Sequence, residues 1–124
     1  MPWTMSGEKP IYLQLVDRIK RQIVSGKYSP GERFPSVREL AVEAAVNPNT
    51  MQRALSALEA EGLLITSRTA GRTVTSDGSL IIRIREQIAM EEYKSFYKSM
   101  TELGYDDDEI ISFIKNLNSN NRKM

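Results

Sequence analysis

Isoleucine and leucine recur every four positions over residues 11–25, and charged residues fill many of the positions between them. This spacing predicts an amphipathic helix, because residues four apart lie on the same face of an α-helix. Pro10 suits the first turn of this helix, and Gly26 suits its C-terminal end. The helix therefore has one apolar face that must pack against other parts of the chain.

Two N-terminal capping signals predict a pair of helices next in the chain. Ser36 and Glu39 form an S-x-x-E capping box, with Ser36 as the N-cap. Asn47 followed by Pro48 marks a second start, because asparagine caps helices and proline is tolerated at the first helical position. Gly62 ends this third helix. A tight turn joins the two helices, so the second of them can protrude.

Beyond Gly62 the pattern changes to two short β-prone runs, residues 63–67 and 73–75. Arg68 to Arg72 lies between these runs and is predicted to form the tip of a hairpin. Helix, capped short helix, tight turn, helix and hairpin is the order of a winged helix-turn-helix. We predict that this domain covers residues 8–76.

A longer helical stretch follows and reaches Leu103, with apolar residues spaced alternately four and three apart. Asp106 and Glu109 then form a second capping-box pattern, which predicts a last helix that runs to about Leu117. Residues 118–124 are predicted to form a polar tail. The fold class is therefore mainly α with a small β-hairpin.

Residues 77–124 are predicted to form a two-helix dimerisation region. Two helices cannot by themselves enclose a ligand pocket of about 300 Å³ or more, yet these carry more apolar residues than exposed helices need. A second copy of the chain is the natural partner, which gives a homodimer; the alternative is a monomer whose tail folds back on the first domain. The predicted dimer contacts are Ile84, Ile88, Tyr93, Phe96, Met100, Leu103, Ile110, Phe113, Ile114 and Leu117.

The 124 residues include no cysteine and no histidine, which excludes a thiol nucleophile, a histidine base and a Cys/His metal site. The acidic run Asp106–Glu109 is typical of a helix start. We therefore expect neither an enzyme nor a metal or other cofactor. The net charge of +1 hides an asymmetry, since residues 8–76 carry 10 Lys/Arg against 7 Asp/Glu and residues 77–124 carry 7 against 9. A basic first part and an acidic second part indicate two roles.

The start of the sequence lacks a cationic segment followed by an apolar stretch, so we expect no secretory signal. No apolar run approaches the roughly 18 residues of a membrane span. The sequence therefore indicates a cytoplasmic protein without a membrane contact, and it identifies no small-molecule effector.

The third helix carries hydrogen-bonding side chains near its N-terminus, where a helix in the DNA major groove meets base edges. Arginines in the hairpin suit a wing that lies against phosphates or in the minor groove. The alternatives are Glu39 or Glu43 as partners of Arg53, and hairpin arginines that serve only solubility. From their types and positions in the third helix and the hairpin, the residues predicted to contact double-stranded DNA are Asn47, Asn49, Thr50, Gln52, Arg53, Arg68 and Arg72.

Linked motifs over residues 10–76 resemble those of the GntR family of bacterial transcription regulators. Pro10 opens P-I-Y-L-Q-L, which looks like the family's P-[IL]-Y-x-Q-[IL]. The segment that begins at Gly26, G-K-Y-S-P-G-E-R-F-P-S-V-R-E-L-A, resembles G-x-[LY]-x-P-G-[ED]-[RK]-L-P-S-x-R-E-L-A. The V-N-P-N-T segment from Val46 and the short two-helix tail are similar to the YtrA-like branch of the family.

The resemblance implies further DNA contacts and a function. Arg38 matches an arginine that reaches DNA from the second helix, and Ser36 matches a cap position that also touches phosphate. Thr50 and Gly71 match a recognition-helix threonine and a wing-tip glycine. Two recognition helices related by a two-fold axis read a palindromic site, so we expect a repressor that binds a palindromic operator as a homodimer.

Two positions depart from the family pattern. Pro48 and Gln52 stand where many relatives have arginine, and Gln52 favours adenine over guanine. No relative's operator sequence is therefore carried over. The alternative function is a winged-helix module for protein–protein contact, which would need apolar anchors where the third helix is polar and basic.

Overall fold

The computed structural model describes residues 3–69 and 71–123; Ala70, at the predicted hairpin tip, and Met124, in the predicted tail, lie outside these ranges. Within them, the fold is mainly helical with one antiparallel hairpin, which confirms the predicted fold class. The elements are α1 (Ile11–Val24), α2 (Val37–Ala44), α3 (Pro48–Ala60), β1 (Leu64–Ser67), β2 (Gly71–Val74), α4 (Gly78–Glu102) and α5 (Asp107–Lys123).

The core of the first three helices is built from the apolar faces that the sequence spacing predicts. Leu15 and Ile19 of α1, Leu40 of α2 and Leu55 of α3 are fully buried. Burial of one such side chain stabilises a fold by about 1.5–3 kcal/mol. Helix α3 packs against both α1 and α2, which leaves its opposite, polar face in solvent.

The connection between α2 and α3 is short because both helix ends that it joins are capped. Ala45 follows α2 in a left-handed conformation (φ 58°, ψ 49°), and its N–H donates to Ala41 and Val42. The backbone N–H of Val46 also donates to Ala41, at 3.0 Å. Asn47 then caps α3 directly. This turn fixes the direction in which α3 starts.

Replacing Ala45 with glycine is expected to raise the free energy of unfolding by roughly 0.5 kcal/mol. A left-handed residue with a Cβ costs about 1–2 kcal/mol, and glycine exchanges that strain for a smaller entropic cost of about 0.5–1 kcal/mol. Thermal denaturation measures the change. Ala57→Gly, inside α3, is the matched control and is expected to be destabilising by about 1 kcal/mol. Equal destabilisation by both variants would contradict the role of the turn.

The hairpin is longer on its second side than the sequence pattern predicts. Ser67 pairs with Gly71 and Thr66 pairs with Arg72, so both Gly71 and Arg72 belong to β2 and not to the tip. A third segment, the one before α2, also pairs with β2, because Arg33 forms an antiparallel bridge with Thr73. Such long-range pairing has no local sequence signal, because the residues before α2 show no strand pattern.

The chain forms two compact units, Met1–Arg85 and Glu86–Met124. The division falls within α4, whereas the predicted division at residue 76 stays a prediction. Asp77 caps α4: the hydroxyl of Ser79 and the backbone N–H of Leu80 donate to its carboxylate at 2.7 and 3.2 Å. These hydrogen bonds lower the pKa of Asp77 from its ordinary value.

The second unit begins its last helix with the capping box that the sequence predicts. The Asp106 carboxylate accepts a hydrogen bond from the backbone N–H of Glu109 at 2.8 Å. The Glu109 carboxylate accepts one from the backbone N–H of Asp106 at 3.0 Å. Met100, which precedes the capping box in α4, and Ile110, which follows it in α5, are buried. The acidic residues here thus serve as helix caps.

Helix α5 ends at Lys123, and the prediction that it stops near Leu117 is wrong. A capped helix adds one hydrogen bond for each residue that extends it, so polar residues of modest helix propensity can continue it. The start of α5 is also tied to α4, because the Tyr97 hydroxyl donates to the Asp107 carboxylate at 2.6 Å. This hydrogen bond raises the pKa of Tyr97.

Candidate nucleic-acid interface

The N-terminal half of α3 has one polar side that faces solvent. Asn49, Gln52 and Arg53 are exposed, and Thr50 is half-buried. Met51 is fully buried on the opposite side, so this part of the helix cannot rotate without exposing the core. Hydrogen-bonding side chains are thereby held outward at the start of α3, which is where a recognition helix meets base edges.

Two amides on this face are used within the helix itself. The Asn47 side-chain oxygen accepts a hydrogen bond from the backbone N–H of Asn49 at 2.7 Å, which leaves its amide nitrogen for a phosphate. The Gln52 side-chain nitrogen donates to the Ser56 hydroxyl at 3.1 Å. The Gln52 amide keeps its second N–H and its oxygen, which are the donor and the acceptor that a contact with adenine uses.

Arg53 stacks on an aromatic ring of α1. Its guanidinium carbon lies 3.7 Å from the centroid of the Tyr12 ring, and the described residues show no ion pair from Arg53 to Glu39 or Glu43. A cation–π contact of this kind stabilises by about 0.5–1 kcal/mol at exposed sites and orients the guanidinium. Sequence reasoning missed Tyr12, because its position beside the core stripe of α1 gives no signal of a partner far along the chain.

The start of α2 presents one arginine to solvent. The Ser36 hydroxyl accepts a hydrogen bond from the backbone N–H of Glu39 at 3.1 Å, as the capping box predicts. Arg38 is exposed and makes no ion pair with any residue that the structure describes. An open groove of about 620 Å³ runs beside Ser36, between the start of α2 and the hairpin. Arg38 is thus free to meet a ligand from outside the chain.

The two hairpin arginines differ in their surroundings. Arg68 is exposed in the turn after β1. Arg72 points back to α3, where its Nε lies 2.6 Å from the Glu59 carboxylate. Sequence reasoning missed Glu59, because only the folded hairpin brings it to Arg72. Gly71 has a φ of +72°, and among the described residues other than its chain neighbours no atom lies within 4 Å of where its Cβ would be.

Replacing Gly71 with alanine is expected to lower the free energy of unfolding by about 1 kcal/mol, although the space for a methyl group is open. The reason is the left-handed backbone, which a Cβ disfavours by about 1–2 kcal/mol. Thermal denaturation checks this against Gly78→Ala, which adds the same methyl group in open space at a helix start. Unchanged stability of Gly71→Ala would contradict the strain expected from the left-handed backbone.

The residues of the predicted dimer contact fall into two groups. Ile84, Met100 and Ile110 are buried within the chain, so their side chains stabilise its own fold. Their part in a contact with a second copy stays a prediction. The others keep accessible apolar surface: Ile88, Tyr93, Phe96, Leu103, Phe113, Ile114 and Leu117.

The part of the chain that the structure describes contains no cluster of three acidic residues able to hold a metal ion. None of its described helices is both long and apolar enough to cross a membrane. The polar face of α3 and the arginines of α2 and the hairpin form a surface that suits an anionic, hydrogen-bonding partner. Nucleic acid has this chemistry.

The sequence model of the bacterial regulatory proteins of the gntR family matches residues 11–74. The chain belongs to this family. It is 37% identical over 109 residues to the HTH-type transcriptional regulator YhcF of Bacillus subtilis, covering 88% of this chain and 90% of YhcF. It is 29% identical to the HTH-type transcriptional repressor YtrA of the same organism, covering 89% and 85%. The predicted resemblance to the YtrA-like branch is thus confirmed.

Solved structures agree with the sequence comparison. A GntR family transcriptional regulator from Listeria monocytogenes is 38% identical, covers 90% of this chain and 98% of its own, and has a TM-score of 0.83. The DNA-binding domain of AraR, solved in complex with its operator, is 28% identical over 60% of this chain and 90% of its own, with a TM-score of 0.52. The protein is therefore a winged helix-turn-helix, DNA-binding transcription regulator, and the prediction that it is not an enzyme is confirmed.

Proposed function

We propose that this protein is a cytoplasmic repressor that binds a palindromic operator as a homodimer. The observation that carries the proposal is the exposed polar start of α3, with Asn49, Gln52 and Arg53 held outward by a buried opposite face. Arg38 at the start of α2 and Arg68 in the hairpin lie on the flanking elements and are exposed. A cationic rim around a hydrogen-bonding helix suits phosphates around a major groove.

The roles of the contacts follow from their chemistry. Gln52 reads an adenine, because a carboxamide offers the donor and acceptor that adenine needs in the major groove. Arg38 and Arg68 neutralise phosphates or enter the minor groove. The proposed DNA face is made of Ser36, Arg38, Asn47, Asn49, Thr50, Gln52, Arg53, Arg68 and Gly71.

The homodimer is supported by the apolar surface of α5. Phe113, Ile114 and Leu117 are 38%, 39% and 46% exposed and recur at helical spacing, so they form one stripe. Two such stripes can bury one another across a two-fold axis. The acidic run at the start of α5 would be repelled by DNA, which favours a tail that lies away from the duplex.

The palindrome and the repression follow from the dimer. Two identical recognition helices related by a two-fold axis read inverted half-sites about one helical turn, or a multiple of it, apart. Two copies of a small DNA-binding domain also discriminate the operator from other genomic sequences better than one copy does. A dimer held on such a site blocks polymerase by occupying it.

The test is a titration of the purified protein against the DNA upstream of its own gene. We expect a shift that survives excess unrelated DNA at 150 mM salt, and a footprint with two inverted half-sites. A shift that unrelated competitor DNA abolishes would argue against sequence recognition and favour the protein–protein module. A footprint over one half-site only would contradict the palindrome, and activation of transcription from the bound site would contradict repression.

A further inference from the structure

The hairpin β1–β2 forms the wing of the domain. One of its arginines, Arg72, is bonded to the recognition helix α3. The Arg72 Nε and Nη2 atoms lie 2.6 and 2.5 Å from the same Glu59 oxygen. The side chains of Arg72 and Glu59 are only 16% and 30% exposed. Hydrogen bonds between ionised groups are about twice as strong as neutral ones, and partial burial protects them from salt screening.

Arg72 also joins the wing to the segment that leads into α2. Its carbonyl oxygen accepts a hydrogen bond from the backbone N–H of Phe34 at 2.8 Å, and Phe34 is buried. A single residue of β2 therefore contacts α3 through its side chain and the segment before α2 through its backbone. These two helices and the wing are the elements that carry the proposed DNA contacts.

A direct contact of Arg72 with DNA conflicts with this arrangement. The Arg72 side chain is only 16% exposed and already directs its Nε and Nη2 atoms to Glu59, so a phosphate at the guanidinium would also lie close to that carboxylate, which is electrostatically unfavourable. Arg68, in the turn of the same hairpin, is exposed and can meet a phosphate without breaking the pair.

We propose that Glu59 and Arg72 are positioning residues, which fix the wing against the recognition helix so that Arg68 and the α3 contacts meet one half-site together. Arg72 acts through Glu59 and not by contact with phosphate. This inference rests on the proposed operator binding, and it adds Glu59, an acidic residue, to the groups on which DNA affinity depends.

Glu59→Gln separates the two roles of Arg72 by the sign of its effect. If Arg72 positions the wing, loss of its partner lowers operator affinity, and we expect about a fivefold to twentyfold loss. If Arg72 binds phosphate, the same change removes a competing anion and raises the affinity. Glu61→Gln is the matched control: Glu61 pairs with Lys20 of α1 at 2.9 Å, and the expected change is under about twofold.

A charge swap tests the pair directly. Arg72→Glu alone is expected to weaken operator binding at least about tenfold, and the double variant E59R/R72E is expected to recover most of that loss. A phosphate contact at Arg72 predicts no recovery, because glutamate would still face DNA. The slope of log affinity against log salt is expected to stay near the wild-type value in Arg72→Gln, whereas each lost phosphate contact would reduce it by about 0.9.

Hydrogen exchange of the wing amides gives a reading that does not depend on DNA. In the free protein, Glu59→Gln is expected to speed exchange of the β2 amides at least about fivefold relative to Glu61→Gln. Unchanged wing exchange in Glu59→Gln overturns the inference, as does a rise in its operator affinity. If the wild type binds no operator while the exchange effect is present, the proposed function fails and the positioning pair stands.

Discussion

Replacing Arg38 with alanine is expected to weaken operator binding at least roughly 30-fold while leaving the melting temperature within about 1 °C of the wild type. An arginine that contacts a base or phosphate contributes about 1–3 kcal/mol, and a dimer on a palindrome loses two copies, so that about 2–6 kcal/mol is lost. The fold keeps its stability, because Arg38 is exposed without an ion pair among the described residues and alanine favours a helix. Fluorescence anisotropy with labelled operator and thermal denaturation measure the two quantities.

Arg85→Ala is the matched control for this variant. Arg85 is an exposed arginine of α4, outside the proposed DNA face, and the same change in charge there is expected to alter operator affinity by less than about threefold. Equal losses in the two variants would mean that only net charge matters. Normal binding by Arg38→Ala, or its unfolding, would remove Arg38 from the interface.

The parts of the fold that the sequence predicts are those set by local chemistry. Ser36 and Asp106 accept from the backbone N–H groups three residues on, as a capping box requires, because both partners lie within one turn. Helical spacing likewise finds the buried face of α3, since the period of the helix places Leu55 and Leu58 on one side. Such features need no knowledge of distant residues.

The features that the sequence does not predict depend on contacts between distant segments. Tyr12 and Arg53 are 41 positions apart and meet only because α1 packs against α3. Arg72 has the composition of a wing residue that binds phosphate, and only the register of β1 and β2 turns it to Glu59. Residue type predicts a cation near DNA, but it cannot say whether the chain itself already neutralises that cation.

Leu117→Asp is expected to convert the proposed dimer to a monomer and to weaken operator binding by about a hundredfold or more. The leucine is 46% exposed in the apolar stripe of α5, so an aspartate there leaves the fold of one chain intact. The same aspartate puts a charge into the proposed dimer interface, where it is unfavourable. Separate half-sites lose the high effective concentration of a linked pair, which multiplies affinity by about 10²–10⁴. Sedimentation equilibrium should give the mass of one chain, 14.1 kDa, in place of twice that value.

Ser119→Asp is the control, because Ser119 lies on the opposite side of α5, where the same charge faces solvent. It is expected to leave both mass and operator affinity unchanged. A Leu117→Asp variant that remains dimeric would place the dimer interface elsewhere.

The salt dependence of operator binding links Leu117→Asp to Arg38→Ala. A monomer keeps one set of phosphate contacts, so its slope of log affinity against log salt should fall to about half of the wild-type value. A monomer that retains the full slope would mean that one chain makes all the phosphate contacts, and the operator would then not be read as two half-sites.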